Sequence, residues 1–237
     1  MTSKKVAAHQ QAHEPSSLAA ALFGALHDRL VYQRRIQAIA QAVSPLLPGG
    51  KLLDVGLGNG DLPQFLMSMR PDVDVIGLDV LIRVRSRIPA VSYNGDTFPF
   101  CDQAFSSVLI ADTLHHVANK EHLLAECLRV SRGPVIVKDH FYKGRWQHIL
   151  LRLLDLGGNA AHGVESIYNY YTRKEWEDAV RSISAEELVR VEEVAGQYPF
   201  PFQRLIGRRL QFVSSIISAS GSSPQADKPT DSPRAGI

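Results

Sequence analysis

The chain has 237 residues, and its 26 Lys and Arg side chains nearly balance 24 Asp and Glu, giving a formal net charge of +2. That balance argues against a protein that binds nucleic acid or acidic lipid mainly through a large net positive charge. The chain has two cysteines, Cys101 and Cys127, which excludes a scaffold held together by several disulfides. No apolar run reaches the ~18 residues of a membrane-spanning helix, and residues 1–17 lack the apolar core of a signal peptide. We expect a soluble, cytoplasmic chain with one domain.

Both ends of the chain are polar, and helix and strand patterns alternate between them. Residues 1–16 and 218–237 are predicted to be disordered tails, because they offer little apolar surface to bury. A single domain is therefore predicted over 17–217. Its first segment, 17–45, has leucines and isoleucines at helical spacing, which predicts a helical cap.

Beyond the cap, short apolar runs predict strands, and the segments between them have the length of helices. The first five predicted strands cover 51–55, 73–78, 90–93, 107–111 and 134–138. This alternation predicts βαβ units, hence a parallel sheet with helices on both faces. Two further strands, 187–194 and 209–217, have no helix between them and predict a closing antiparallel hairpin. The predicted fold class is α/β, with a doubly wound, mostly parallel sheet.

A glycine-rich turn, Asp-Val-Gly-Leu-Gly-Asn-Gly at 54–60, follows the first predicted strand. Glycines let backbone N–H groups approach a ligand closely, and Asp79, which ends the next strand, can accept hydrogen bonds from both hydroxyls of a ribose. Together these features predict a nucleoside-containing ligand. A dinucleotide fingerprint would need glycine where Asp61 stands. A carboxylate beside the turn also suits a ligand with a positive amino group, so S-adenosylmethionine is favoured over NAD.

In their order and spacing, four stretches make residues 50–140 resemble the class I S-adenosylmethionine-dependent methyltransferases, close to the type 11 small-molecule group. The stretches are the glycine turn at 54–60, Ile-Gly-Leu-Asp at 76–79, NGDTFPFCDQAFSSVLIADTLHHV at 94–117 and EHLLAECLRV at 121–130. The resemblance implies a Rossmann-like sheet of seven strands, with the last one antiparallel, and S-adenosyl-L-methionine as the cofactor. The turn at 131–134 departs from the longer Lys-Pro-Gly-Gly turn usual in the family.

The resemblance also implies which residues hold the cofactor, all of them in the glycine turn or at the carboxyl ends of predicted strands. They are Asp54, Gly56 and Gly58 around the methionyl part, Asp79 on the ribose with Val80 after it, Asp96 on the adenine amino group with Thr97 beside it, and Ala111 and Asp112 at the cofactor floor.

Because the methyl group of S-adenosylmethionine is already activated, the protein must align a nucleophile, exclude water and often remove a proton. Histidine suits proton removal near neutral pH, and His115, His116 and His140 follow predicted strands at the edge where such sheets bind ligands. We select His140 as the best candidate base and His116 as the second catalytic candidate. Asp112 and Asp139 could meet in space, but the sequence predicts no metal site.

Residues 141–172 are longer than a minimal crossover and are predicted to form a lid that shapes the acceptor pocket. The candidate substrate-binding residues there carry amide, imidazole or phenol groups, namely Asn159, His162, Tyr168 and Tyr170. Thr172 followed by Glu175 predicts a capping box at the next helix. The expected acceptor is a small molecule, because the sequence lacks a basic track with interleaved aromatics that would indicate a nucleic acid. Oxygen is the first expectation for the methylated atom, with nitrogen or carbon as alternatives.

The sequence leaves other functions open. Some proteins of this fold bind S-adenosylmethionine but catalyse cyclisation, decarboxylation or hydroxylation, and formation of S-adenosylhomocysteine separates that case from methyl transfer. A second alternative is a non-catalytic, cofactor-binding subunit of a larger complex. An NAD-dependent dehydrogenase is disfavoured by Asp61. The acceptor and the oligomeric state, monomer or homodimer, are not encoded locally.

Overall fold

The computed structural model describes residues 32–82, 86–159, 167–198, 203–204 and 210–219. The predicted tail 1–16, the cap before residue 32, His162 and most of the predicted tail 218–237 lie outside these residues. The described helices are α1 (Gln33–Val43), α2 (Asp61–Met69), α3 (Lys120–Val130), α4 (Arg145–Asn159) and α5 (Arg173–Ser182). The strands are β1 (Gly50–Val55), β2 (Val73–Asp79), β3 (Ala90–Ser92), β4 (Ser107–Ala111), β5 (Val135–His140), β6 (Ala185–Val191) and β7 (Gln211–Ser218).

The seven strands form one sheet in the order β3-β2-β1-β4-β5-β7-β6. Strands β1 to β5 are parallel to one another, and β7 runs antiparallel to both β5 and β6. The α/β fold class, the mostly parallel sheet and the closing antiparallel hairpin are therefore confirmed. Strand order reverses between β1 and β4, and a crevice at such a switch point is where open α/β sheets bind ligands.

Apolar side chains alternate along the central strands and build a core on each face of the sheet. On one face, Leu53 and Val137 pack with Phe212 of β7 and with the fully buried Trp176 of α5. On the other face, Leu52 and Ile136 pack with residues of α1 and α2. Because both faces are covered, β4 and the first three residues of β5 are almost entirely buried and apolar, which is why the sequence located these strands.

Local signals explain most element boundaries. The side chain of Asn119 accepts a hydrogen bond from the backbone N–H of His122 and so caps α3. The predicted capping box is present: Thr172 accepts from the backbone of Glu175, whose carboxylate accepts from the backbone N–H of Thr172. These side chains satisfy N–H groups that have no partner inside the helix.

The segment after β5 that is predicted to form a lid contains α4, whose outer face is apolar and exposed. Trp146 is 84% exposed and Ile149 is also exposed, whereas Leu151 is buried against Tyr170. In the described part of the chain, no helix combines the length and the apolar character needed to cross a membrane.

The strand β5 is longer than predicted. The sequence pattern ended it at residue 138, but Asp139 and His140 pair with Phe212 and Gln211 of β7 and so belong to the strand. Both polar residues are buried. The strand therefore carries two titratable side chains directly to the carboxyl edge of the sheet.

Candidate functional site

The glycine turn lies between β1 and α2, and all three of its glycines have the positive φ that favours glycine: 81° at Gly56, 58° at Gly58 and 78° at Gly60. A Cβ atom on Gly56 would overlap the side chain of Thr113, so this position needs glycine for space as well as for conformation. A Cβ on Gly58 would meet nothing within 4 Å. The backbone at Gly58 is thus open on the side where a ligand could lie against it.

Two carboxylates flank this turn. Asp79, at the end of β2, accepts hydrogen bonds from the backbone N–H of Gly58 at 3.2 Å and of Leu81 at 3.1 Å. Asp54 is only 3% exposed, and its burial, together with the nearby charge of Asp79, raises its pKa from 3.8 to about 7. A buried carboxyl in this state favours a neighbouring cation, because a positive group would stabilise its ionised form.

The residues predicted for the adenine end lie after β3. The side chain of Asn94 accepts from the backbone N–H groups of Asp96 and Thr97, which fixes the tight turn between them. The carboxylate of Asp96 is 71% exposed and lies 3.1 Å from Nε2 of His122. Val80 is exposed, and a Cβ on Gly95 would lie 3.4 Å from its Cγ1. Val80 therefore stands beside this turn, at the end of β2.

Asp112, directly after β4, is the centre of a charge network that the sequence did not reveal. Its φ of 53° is positive. The guanidinium of Arg35, on α1, lies 2.7 Å from Oδ2, and the ammonium of Lys138 forms a short ion pair with Oδ1. Burial opposes ionisation of Asp112, but Arg35, Lys138 and His140 outweigh it and lower its pKa. Burial in turn lowers the pKa of Lys138 to about 8. The predicted cofactor-floor residue is therefore a half-buried anion paired with two cations.

His115, Asp139 and His140 form a buried imidazole cluster beside Asp112. The Nδ1 atom of His115 lies 2.7 Å from Oδ1 of Asp139, and Nδ1 of His140 lies 3.2 Å from the same oxygen. Nδ1 of His140 is also 3.6 Å from Oδ1 of Asp112, so the two carboxylates considered from the sequence both reach this ring. His116 is half-buried, and its ring centroid lies 4.1 Å from that of His115, with the two ring planes tilted by 44°.

The electrostatics of the cluster keep its central carboxyl ionised. The imidazole of His115 heads the favourable contacts that outweigh burial and hold the pKa of Asp139 well below its usual range. Burial and the charge of Lys138 lower the pKa of His140 to about 4. His140 is thus neutral at physiological pH and retains a nitrogen lone pair that can accept a proton.

The candidate lid residues have different environments. Tyr170 is buried, stacks on His115 at 4.8 Å between ring centroids, and donates its hydroxyl to the backbone oxygen of Leu151 at 3.3 Å. Tyr168 is half-buried, with its ring 4.9 Å from the guanidinium carbon of Arg152. Asn159 is the last residue of α4, and His162 lies outside the described residues. Of the two candidates whose side chains the structure describes, Tyr170 contacts the imidazole cluster.

A residue that the sequence analysis did not select joins the lid to the site. The backbone N–H of Asn169 donates to the oxygen of His115 at 2.9 Å, and its side-chain amide donates to the oxygen of Val117 at 3.2 Å. Lys138 could have been suspected, since a charged residue inside an otherwise apolar strand is rarely buried without a partner. Arg35 carried no such signal.

Comparison with known proteins agrees with this architecture. Residues 53–134 match the family model described as a methyltransferase domain. The chain is 30% identical over 101 residues to 27-O-demethylrifamycin SV methyltransferase of Amycolatopsis mediterranei (strain S699), which covers 37% of each chain. It is 32% identical over 118 residues to the ubiquinone/menaquinone biosynthesis C-methyltransferase of Burkholderia mallei (strain SAVP1), covering 44% of this chain and 49% of that one. The matches span less than half the length of these curated relatives.

Solved structures extend the likeness beyond the matched stretch. A crystal structure of an S-adenosylmethionine-dependent methyltransferase from Thermotoga maritima has a TM-score of 0.58 at 20% identity, covering 84% of this chain and 95% of that one. The family match over residues 53–134 indicates a methyltransferase domain, and the sheet of this chain has the fold of that solved structure. The family match runs from β1 to the turn before β5, and so contains the glycine turn and Asp79.

Proposed function

We propose that the protein transfers the methyl group of S-adenosylmethionine to an oxygen of a small-molecule acceptor. The observation that carries this proposal is the placement of two complementary half-sites at one sheet edge. The open glycine turn with Asp54 and Asp79 follows β1 and β2, and the imidazole cluster ends β4 and β5. Adjacent strands β1 and β4 bring the two halves together.

The first half-site fits the cofactor. The backbone at Gly58 is open to a ligand, and Asp79 is held at the end of β2, where a ribose would present its hydroxyls. Asp54 is a buried acid whose neighbouring charge is the carboxylate of Asp79, and the methionyl amino group would supply a cation beside it. When bound, S-adenosylmethionine provides a methyl carbon on a positively charged sulfur. We assign Asp96 with Thr97, and Val80, to the adenosine end.

The second half-site fits an acceptor that loses a proton. We assign His140 as the base, because its imidazole is neutral and its side chain lies at the carboxyl edge of the sheet. His116, beside His115, is the second catalytic candidate, and Tyr168 and Tyr170 of the lid are assigned to the acceptor side. One relative is named as an O-methyltransferring enzyme and another as a C-methyltransferase. We favour oxygen because a neutral imidazole can take the proton of a hydroxyl group directly.

Binding tests the first half. Isothermal titration with S-adenosylmethionine and S-adenosylhomocysteine is expected to give one micromolar site, with NAD as the negative control. Asp79→Asn should weaken binding by about 1–3 kcal/mol, since charge-assisted hydrogen bonds are lost. Asp74→Asn is the matched control, because Asp74 is exposed on the same strand. Unchanged affinity in Asp79→Asn would exclude the ribose assignment, and no binding by the wild-type chain would refute the function.

Turnover tests the second half. A panel of phenols, hydroquinones and aliphatic alcohols is screened for S-adenosylhomocysteine formation, and the methylated atom is located by mass spectrometry. With any acceptor found, His140→Gln should lower kcat by about 10²-fold or more while cofactor affinity stays near normal. Lys174→Gln, at an exposed position on α5, serves as the control. Wild-type turnover in His140→Gln would remove that residue from the mechanism.

A further inference from the structure

Asp139 is surrounded by hydrogen-bond donors rather than by cations in direct contact. Its Oδ1 receives the backbone N–H of His140 at 2.8 Å, and Oδ2 receives the backbone N–H of His115 at 3.3 Å. Oδ1 also lies 2.7 Å from Nδ1 of His115 and 3.2 Å from Nδ1 of His140. The carboxylate is 3% exposed, so no bulk solvent competes for these contacts.

These distances determine where the ring protons lie. An ionised carboxylate only accepts hydrogen bonds, so a ring nitrogen that is bonded to it must carry a proton. Because a neutral imidazole has one N–H, a proton on Nδ1 leaves Nε2 with the lone pair. Within the part of the chain that the structure describes, Nε2 of His140 has no hydrogen-bonding partner.

We propose that Asp139 is a positioning residue that holds His140 in its Nδ1–H tautomer, so that Nε2 is the atom that receives the acceptor proton. The acceptor step rests on the proposed methyl transfer, whereas the tautomer does not. In that step the O–H bond breaks, its electron pair forms the new O–C bond, the C–S electron pair stays on sulfur, and the proton moves to Nε2. Charge is conserved, because the positive charge of the sulfonium passes to the imidazolium.

The neighbouring charges favour Asp139 over Asp112 for this task. Asp112 lies farther from Nδ1 of His140, at 3.6 Å, and its negative charge is already matched by Arg35 and Lys138. His115 and Asp139 are joined by the shorter contact, and the ring of His115 is stacked on Tyr170. The hydrogen bond from His115 therefore holds the carboxylate of Asp139 in the position from which it orients His140.

The same three side chains could hold a metal ion, because their ligand atoms all lie within 4.8 Å of one another. The separations of 2.7 and 3.2 Å between nitrogen and oxygen are those of direct hydrogen bonds. A metal bound through Nδ1 of these rings would need the lone pairs that the proposed tautomer removes. The two arrangements are therefore exclusive at Nδ1, and one experiment separates them.

The tautomer is read directly by NMR. Long-range ¹⁵N–¹H correlation of the full chain labelled at its nine histidines gives the protonation of each ring nitrogen, and the spectrum of His140→Gln identifies the His140 signals. We expect a protonated Nδ1 and a bare Nε2 near neutral pH. Asp139→Asn should abolish this single tautomer, whereas Asp178→Asn, at an exposed position on α5, should leave it intact. If Asp139→Asn does not fold, the wild-type spectrum still decides.

Two results would overturn the proposal: an Nε2–H tautomer in the wild-type chain, or stoichiometric zinc found by elemental analysis that shifts the Nδ1 signals and is lost in His115→Gln. Failure of cofactor binding alone would refute the proposed function and leave the tautomer standing. Where an acceptor is found, Asp139→Asn should lower kcat about tenfold or more, with the KM for S-adenosylmethionine unchanged. A fall in kcat accompanied by an equally large rise in the KM for S-adenosylmethionine would indicate a merely structural role for Asp139.

Discussion

Replacing Asp54 by asparagine should stabilise the ligand-free protein and weaken its cofactor binding. The unfolded carboxyl ionises near pH 3.8, whereas burial and Asp79 raise the native pKa to about 7. Between these values only the native state keeps its proton, so stability falls as the pH rises from about 4 to about 7, and the full penalty is present above that. Each unit of difference between the native and the unfolded pKa costs about 1.4 kcal/mol. The difference of about three units for Asp54 therefore makes the full penalty about 4 kcal/mol.

The assay is urea denaturation of wild type and Asp54→Asn across that pH range. Because asparagine does not titrate, the stability advantage of the variant should grow by about 2 kcal/mol between about pH 5.5 and pH 8. Titration at pH 8 should show weaker binding of S-adenosylmethionine, whose amino group has lost its carboxylate. Asp74→Asn, exposed on β2, should show neither effect. A variant that is less stable than wild type at pH 8, or an advantage that does not change with pH, would refute the reasoning.

Two further substitutions probe the same edge of the sheet. Gly56→Ala should lower the free energy of unfolding by more than about 1 kcal/mol and abolish cofactor binding, because its Cβ overlaps Thr113 and its φ is positive. Gly58→Ala also has a positive φ, but its Cβ would meet no protein atom within 4 Å, so it is the comparison in thermal melts of the ligand-free protein; equal losses of stability in the two would contradict the steric argument. Arg35→Gln should lower the free energy of unfolding at pH 7 by about 1 kcal/mol, since the ion pair with Asp112 is partly exposed; urea denaturation at high salt should shrink that difference, and a salt-independent loss would point to packing instead.

The features that were predicted correctly depend on neighbours in sequence. The glycine turn and Asp79 stand at the ends of apolar runs, and the pattern that marks a buried strand also fixes where its ligand-binding end lies. The end of β5 was misplaced for the same reason, because Asp139 and His140 look like loop residues until β7 is seen beside them. The pairing of β5 with β7 shows the true end of the strand, which the polar side chains of Asp139 and His140 hide in the sequence.

The charge network of Asp112 with Arg35 and Lys138 could not be predicted from neighbours in sequence. Arg35 and Asp112 are 77 positions apart, and nothing near either residue identifies the other as its partner. Tyr170, a predicted substrate-binding residue, lies against the ring of His115, and its hydroxyl donates to the backbone oxygen of Leu151. Its contribution is the face of its ring rather than its oxygen. Contacts of this kind depend on how the lid packs, which no local pattern specifies.

The two tryptophans of the chain occupy opposite extremes of solvent exposure, which gives the molecule a pair of independent optical reporters. Trp176 is fully buried in the core under β7, and Trp146 is 84% exposed on α4 at the start of the lid. Emission from the first follows global unfolding, and quenching of the second by a water-soluble quencher follows the surroundings of α4 alone. Ligand binding and denaturation can therefore be followed in one unlabelled sample, by wavelength and by accessibility.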